Sequence, residues 1–179
     1  MTNTKKLVTA TTIALTIITL LSTALTAITD MDLFLTISIT AGTTLYHFAM
    51  RLFVGKVTPH HFNYKSVWFK EKSFEKPLYK KLRVKKWKDK MPSYNPSTYL
   101  TKEISLYDLI NTMCRNEVIH EIIAVLSFVP ILFSLIIDTY FVFIITSVIA
   151  CLFDLIFVIM QRYNRPRVIK VLEKYNKSK

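Results

Sequence analysis

A chain of 179 residues suits one domain, but 51% hydrophobic residues and a mean hydropathy of +0.33 take it out of the ordinary soluble class. Only two glycines occur, Gly42 and Gly55, which excludes a Walker loop, a dinucleotide-binding fingerprint and a G-x-x-x-G packing face; Cys114 and Cys151 are too few and too far apart for a disulfide framework. The net charge of +12, from 24 basic and 12 acidic side chains, asks for an anionic partner whose nature depends on where the charges lie.

Lys5 and Lys6 lead into an uncharged run rich in Ile, Leu, Ala and Thr, which predicts a first membrane-spanning helix over about residues 7–29. The run is long for the apolar core of a signal peptide and no A-x-A site follows it, so it reads as a retained span. Its threonines cost little, because each hydroxyl can bond the carbonyl one turn earlier in its own helix. Asp30, Met31 and Asp32 form a break, and a second apolar helix is expected over 33–51. His47 and Arg51 close it, spaced i, i+4 and hence on one face.

Residues 55–116 are polar and basic yet studded with aromatics: Phe62, Tyr64, Trp68, Phe69, Phe74, Tyr79, Trp87, Tyr94 and Tyr99. That mixture suits a membrane interface, where rings sit at headgroup level and lysines reach anionic lipid. A helix is expected over Ser73 to Lys90, with Ser73 as N-cap, Pro77 in the first turn and Phe74, Leu78 and Leu82 along one face. The tract Lys85-Lys86-Trp87-Lys88-Asp89-Lys90 ends at Pro92 and has neither a groove-entering motif nor repeated stacking platforms, so headgroups or an anionic cofactor fit it better than nucleic acid, and a solvated positive-inside loop fits it better still. His60 and His61 after Pro59 read as loop residues. Ser105 and Asp108 resemble a capping box that opens a helix bearing Leu106, Leu109, Ile110 and Met113 on one side.

That helix feeds a third span, about 117–137, which begins with Glu117, His120 and Glu121 and should kink at Pro130. Asp138 and Thr139 make a short turn, and a fourth span covers 140–160 with Asp154 inside it. A tail, 161–179, opens on Gln161-Arg162-Tyr163-Asn164-Arg165-Pro166-Arg167. Pro166 should end or kink the helix there and turn three guanidiniums and two amides towards one spot, a geometry suited to phosphate or carboxylate. Every Lys and Arg falls before the first span, between the second and third, or after the fourth. The positive-inside rule therefore puts both termini in the cytoplasm of a multi-pass cell-membrane protein. The fold expected is all-α, one membrane domain over 1–179, four transmembrane helices and a basic, aromatic-rich cytoplasmic interfacial segment.

The same topology gathers His47, Arg51, Glu117, His120, Glu121, Asp154 and Gln161 to Arg167 at the cytoplasmic ends of the helices. A carboxylate inside a span needs a partner, and His47, His120 or Arg162 are candidates for Asp154. His120 can act as a general base, with Glu117 or Glu121 orienting it and the arginines holding an anionic group. One Glu-x-x-His copy without further bridging carboxylates is a poor metal site, and no serine or cysteine has surroundings that would activate it. Glu117 and His120 are thus the catalytic candidates. His47, Arg51, Trp87, Lys88, Glu121, Asp154, Gln161, Arg162, Tyr163, Asn164, Arg165 and Arg167 are the substrate-binding ones.

Over roughly Leu78 to Leu172 the chain resembles the small membrane acyltransferases of the glycosyl-4,4'-diaponeurosporenoate acyltransferase type, which complete staphyloxanthin-like carotenoids. The resemblance rests on Arg83-Val84-Lys85-Lys86-Trp87-Lys88, on Glu117-x-x-His120 with Pro130 later, and above all on Gln161 to Arg167; His47-Phe48-Ala49-Met50-Arg51 is similar to a segment of many relatives. Where the family often has an Asn followed closely by Pro before the terminal motif, this chain has Asp154 and no proline. The resemblance implies transfer of a fatty acyl group, with acyl-CoA as co-substrate and no tightly bound cofactor, to a hydroxyl of a lipid-linked sugar or glycosylated isoprenoid among the membrane lipids. The oligomeric state is left open. The residues also admit a different lipid- or isoprenoid-modifying enzyme, or a non-catalytic lipid-binding subunit.

Overall fold

The computed structural model describes residues 3–29, 31–91, 105–135 and 140–178; among these the chain is helical, without a strand. The helices are α1 (Asn3–Thr29), α2 (Asp32–Val57), α3 (Glu75–Lys81), α4 (Val84–Trp87), α5 (Leu106–Leu126) and α6 (Tyr140–Lys177), with 3-10 turns at Val67–Phe69, Lys88–Lys90 and Val129–Leu135. Four stretches are long and apolar enough to cross a membrane: Lys6–Thr29, Asp32–Val57, Leu106–Leu135 and Tyr140–Lys177. The expected break at Asp30, the aromatics Tyr94 and Tyr99, the stop at Pro92 and the turn at Asp138 and Thr139 lie outside the described residues.

The chain divides into two compact units, Met1–Lys56 with Ile123–Phe153, and Val57–Ile122 with Asp154–Lys179. In the first, the hydroxyls behave as their apolar surroundings require. Thr12, Thr16, Thr19, Thr26, Thr29, Thr36, Thr40 and Thr43 each donate to the carbonyl four residues back, at 2.7–2.9 Å. Thr23 and Ser38 join α1 to α2 through their hydroxyls at 2.6 Å, and a Cβ on Gly42 would stand only 3.5 Å from the Thr19 methyl. Pro130 ends the α-helical hydrogen bonding more abruptly than a kink. Without an N–H it cannot serve the Leu126 carbonyl four residues earlier, α5 stops at Leu126, and the chain continues as 3-10 turns. The Tyr46 hydroxyl donates to that carbonyl at 3.0 Å.

The second unit carries two apolar clusters. Phe69, Ile110 and Cys114 are buried against Phe62, Val118 and Leu172, and Tyr79, Val84 and Tyr163 against Trp87 and Ile159. Ser105 caps α5 as expected, its Oγ accepting from the Asp108 N–H at 3.1 Å and donating to the Asp108 carboxylate at 2.6 Å. The His60–His61 stretch is loop, held by Asn111, which donates to the His60 carbonyl and accepts from the Phe62 N–H.

One expectation fails here for a physical reason, and a second fails in part. The helix predicted from Ser73 to Lys90 is broken: Arg83 adopts a left-handed conformation at φ 51°, and the N-cap position belongs to Phe74, with no side-chain cap. The Trp87 indole N–H offsets the break by donating to the Leu82 carbonyl at 3.0 Å. Of the end or kink expected at Pro166, the end does not form, for α6 runs through it to Lys177. An interior proline forfeits one backbone bond and costs about 3 kcal/mol. Packing on both sides of it holds the turn: Tyr163 lies buried edge-on to Tyr79 at 5.3 Å, and the Arg167 guanidinium sits 3.6 Å over the Tyr163 ring while donating to the Tyr163 carbonyl.

Candidate functional site

The centre of the second unit is a four-member ion network. Because α6 continues through Pro166, Arg162 and Arg165 stay nearly one helical turn apart and share a flank facing α5. From α5, Glu117 is fully buried between them, one carboxylate oxygen taking Arg162 Nη1 at 2.5 Å and the other Arg165 Nη1. Arg162 also reaches α3, where Glu75 Oε1 accepts its Nε at 2.8 Å and its Nη2 at 2.5 Å. The remaining Arg162 N–H groups go to the carbonyls of Trp68 and Lys70, both at 3.2 Å, so all five donors of this guanidinium are used. Arg165 Nη2 donates to the Phe69 carbonyl between them at 2.7 Å, and its guanidinium lies 5.0 Å from the centre of the Phe69 ring. Two carboxylates and two guanidiniums thus cancel in charge while three successive loop carbonyls are tied to α6.

Glu75 was not foreseen. Its second oxygen accepts the Tyr79 hydroxyl at 2.8 Å, and burial, with this bond and the adjoining carboxylate, pushes the Tyr79 phenol pKa upward. The signal available in sequence was an i, i+4 Glu–Tyr pair in an otherwise lysine-rich helix, which reads as a solvated face unless a buried cation is known to meet it.

The second element of the site is a dyad. His120 Nδ1 lies 2.8 Å from Asp154 Oδ1, with Asp154 fully buried and the histidine side chain 22% exposed. The contact leaves the other ring nitrogen, Nε2, outside this bond. Phe157, one turn beyond Asp154, stacks on the imidazole at 4.6 Å with 11° between the planes. Beside the dyad, Glu121 accepts the Trp68 indole N–H at 2.9 Å. The carboxylate that meets His120 is Asp154, one of the pairings expected for Asp154, whereas Glu117 is taken by two guanidiniums and Glu121 by Trp68.

The remaining expected site residues divide plainly. Gln161 is buried and Asn164 half-buried on α6; Arg167 is exposed and turned back on Tyr163. Trp87 caps the end of α3 and Lys88 opens the following 3-10 turn. His47 and Arg51 fall in the first unit, where the Arg51 guanidinium donates to the His47 carbonyl at 3.0 Å and lies 5.6 Å from the Phe153 ring centre. The convergence of three guanidiniums on an open anion site is not what forms: Arg162 and Arg165 are consumed internally by Glu75 and Glu117. Among the described residues, no three His, Cys, Asp or Glu side chains are grouped as metal ligands.

No curated protein and no solved structure matches the chain. A family model described as glycosyl-4,4'-diaponeurosporenoate acyltransferase matches residues 65–174, more than half of the sequence, and the chain belongs to that family.

Proposed function

We propose that this protein is a membrane acyltransferase that moves a fatty acyl group from acyl-CoA to a hydroxyl of a glycosylated lipid or carotenoid at the cytoplasmic face of the cell membrane. The observation that carries the reading is the His120–Asp154 pair, a partly exposed imidazole held by a buried carboxylate in a chain whose family is named for acyl transfer. His120 Nε2 takes the proton of the acceptor hydroxyl as its oxygen attacks the thioester carbonyl. The C–S bond then breaks, and the proton passes to the departing thiolate. Asp154 holds the tautomer and stabilises the imidazolium that forms between these steps, and Phe157 fixes the ring plane. Glu117 becomes a positioning residue of the network instead of a catalytic one. The anionic donor is held by the lysine tract, where Lys85, Lys86 and Lys90 are exposed, since Arg162 and Arg165 are occupied. The lysine positions between the second and third spans support the cytoplasmic placement.

The test is transfer from labelled acyl-CoA by the full chain in lipid vesicles supplied with glycosylated isoprenoid. Wild type should release free thiol and label the acceptor, and His120→Ala should do neither; undiminished transfer by His120→Ala overturns the assignment. The closed Glu75–Arg162–Glu117–Arg165 network favours a second reading, a lipid-binding subunit without chemistry, under which wild type itself leaves both substrates unchanged.

A further inference from the structure

Helix α3 is turned inside out. Its carboxylate and phenol, Glu75 and Tyr79, face the protein and are buried. Phe74 and Leu82, by contrast, are 61% and 42% exposed, with Leu78 half-buried between them. These three form one continuous strip, because the Leu78 N–H bonds the Phe74 carbonyl at 3.2 Å and the Leu82 N–H the Leu78 carbonyl at 2.9 Å. At 100° per residue, Lys81 flanks the strip on the side away from Glu75, and Lys76 and Lys80 follow beyond Pro77, all of them exposed. Arg162 joins Glu75 to the carbonyls of Trp68 and Lys70, so the 3-10 turn at Val67–Phe69 neighbours α3, and it too exposes large apolar side chains, Val67 and Trp68.

We infer that this surface is a membrane-docking face: the Phe74–Leu78–Leu82 strip enters the interfacial layer of an anionic bilayer, and Lys81 at its edge contacts the headgroups, while Lys76 and Lys80 lie on the far side of the helix. An apolar strip with Lys81 at its edge matches the chemistry of anionic lipid, with apolar acyl chains under negative headgroups. The same chain has four stretches able to cross a bilayer, so lipid is always at hand. The network explains why the strip faces outward: Glu75 must reach Arg162, and a helix that points Glu75 inward presents Phe74, Leu78 and Leu82 on an adjoining face. This inference is independent of the acyltransferase reading.

The test uses the full chain in vesicles of phosphatidylcholine and phosphatidylglycerol, with Phe74→Trp and Lys76→Trp each measured as the increment over the parent fluorescence. For Phe74→Trp the added emission should be blue-shifted, lost when lipids brominated high in the acyl chain replace ordinary ones, and spared by aqueous acrylamide. Lys76→Trp should show the reverse, and Phe74→Trp should regain emission when phosphatidylglycerol is omitted from the brominated vesicles. Equal acrylamide quenching at both positions overturns the inference. So does absence of bromolipid quenching in pure-lipid vesicles, the outcome expected if another protein covers the strip. Leu82→Trp repeats the measurement at the other end of the strip should Phe74→Trp fail to fold.

Discussion

Glu75 and Arg162, on α3 and α6, are joined by two charge-assisted hydrogen bonds, Nε at 2.8 Å and Nη2 at 2.5 Å to one carboxylate oxygen. Arg162 spends its other N–H groups on Glu117 and two loop carbonyls, so one side chain ties α3, α5 and the 66–70 loop to α6. Buried pairs of this kind add little over apolar packing while intact, but removing one partner strands a buried charge.

Glu75→Ala should therefore destabilise the protein by about 3–5 kcal/mol. Arg162→Lys should also fail to rescue, because an ammonium has three donors and cannot serve two carboxylates and two carbonyls in the planar arrangement. Chemical unfolding in detergent checks both, with loss of the α3 contacts as the readout. Wild-type stability in Glu75→Ala would mean the network is not formed.

Tyr79 gives a pH-dependent signature. Its phenol pKa is raised in the folded state, chiefly by burial and then by the Glu75 carboxylate. The stability this contributes is fully present below the unfolded tyrosine pKa of about 10 and is lost as pH rises through the folded value. Difference titration near 295 nm between wild type and Tyr79→Phe should show the Tyr79 phenolate appearing above the pH at which the exposed tyrosines ionise. Tyr79→Phe should cost about 1.5–3 kcal/mol at neutral pH, as expected for a lost bond to a charged group.

Tyr46 and Pro130 form a compensating pair. The Tyr46 hydroxyl serves the Leu126 carbonyl that Pro130 cannot, so Tyr46→Phe should cost about 1–3 kcal/mol by leaving a half-buried acceptor unsatisfied. In a Pro130→Ala background the restored N–H can take that carbonyl, and the same substitution should cost measurably less. Additive effects in the double-mutant cycle would contradict the compensation.

The spans were legible because hydropathy acts locally: residues 7–29 and 140–160 carry their own reason to be apolar helix, and the threonine back-bonds follow from helix geometry alone. The capping of α5 by Ser105 was likewise written in four residues. What could not be read was who pairs with whom. Sequence offered His120 either Glu117 or Glu121, and Asp154 any of His47, His120 and Arg162, without choosing among them; two guanidiniums brought by α6 outcompete an imidazole for Glu117. Asp154, thirty-four positions from His120 in sequence, takes the imidazole instead. At Pro166 local chemistry allowed an end or a kink; packing around Tyr163 and the ties of Arg162 and Arg165 carry the helix through. Glu75 was hidden among lysines because its partner lies eighty-seven positions away.

Acyl transfer by the His120–Asp154 pair is tested by lipid mass spectrometry of membranes from cells expressing wild type, His120→Ala and Asp154→Asn. The account predicts a glycosylated lipid or carotenoid gaining the mass of a fatty acyl group with wild type. That product should fall by roughly 10²–10⁴-fold in both variants while each remains folded and inserted. The same acylated product at wild-type level in His120→Ala would contradict it.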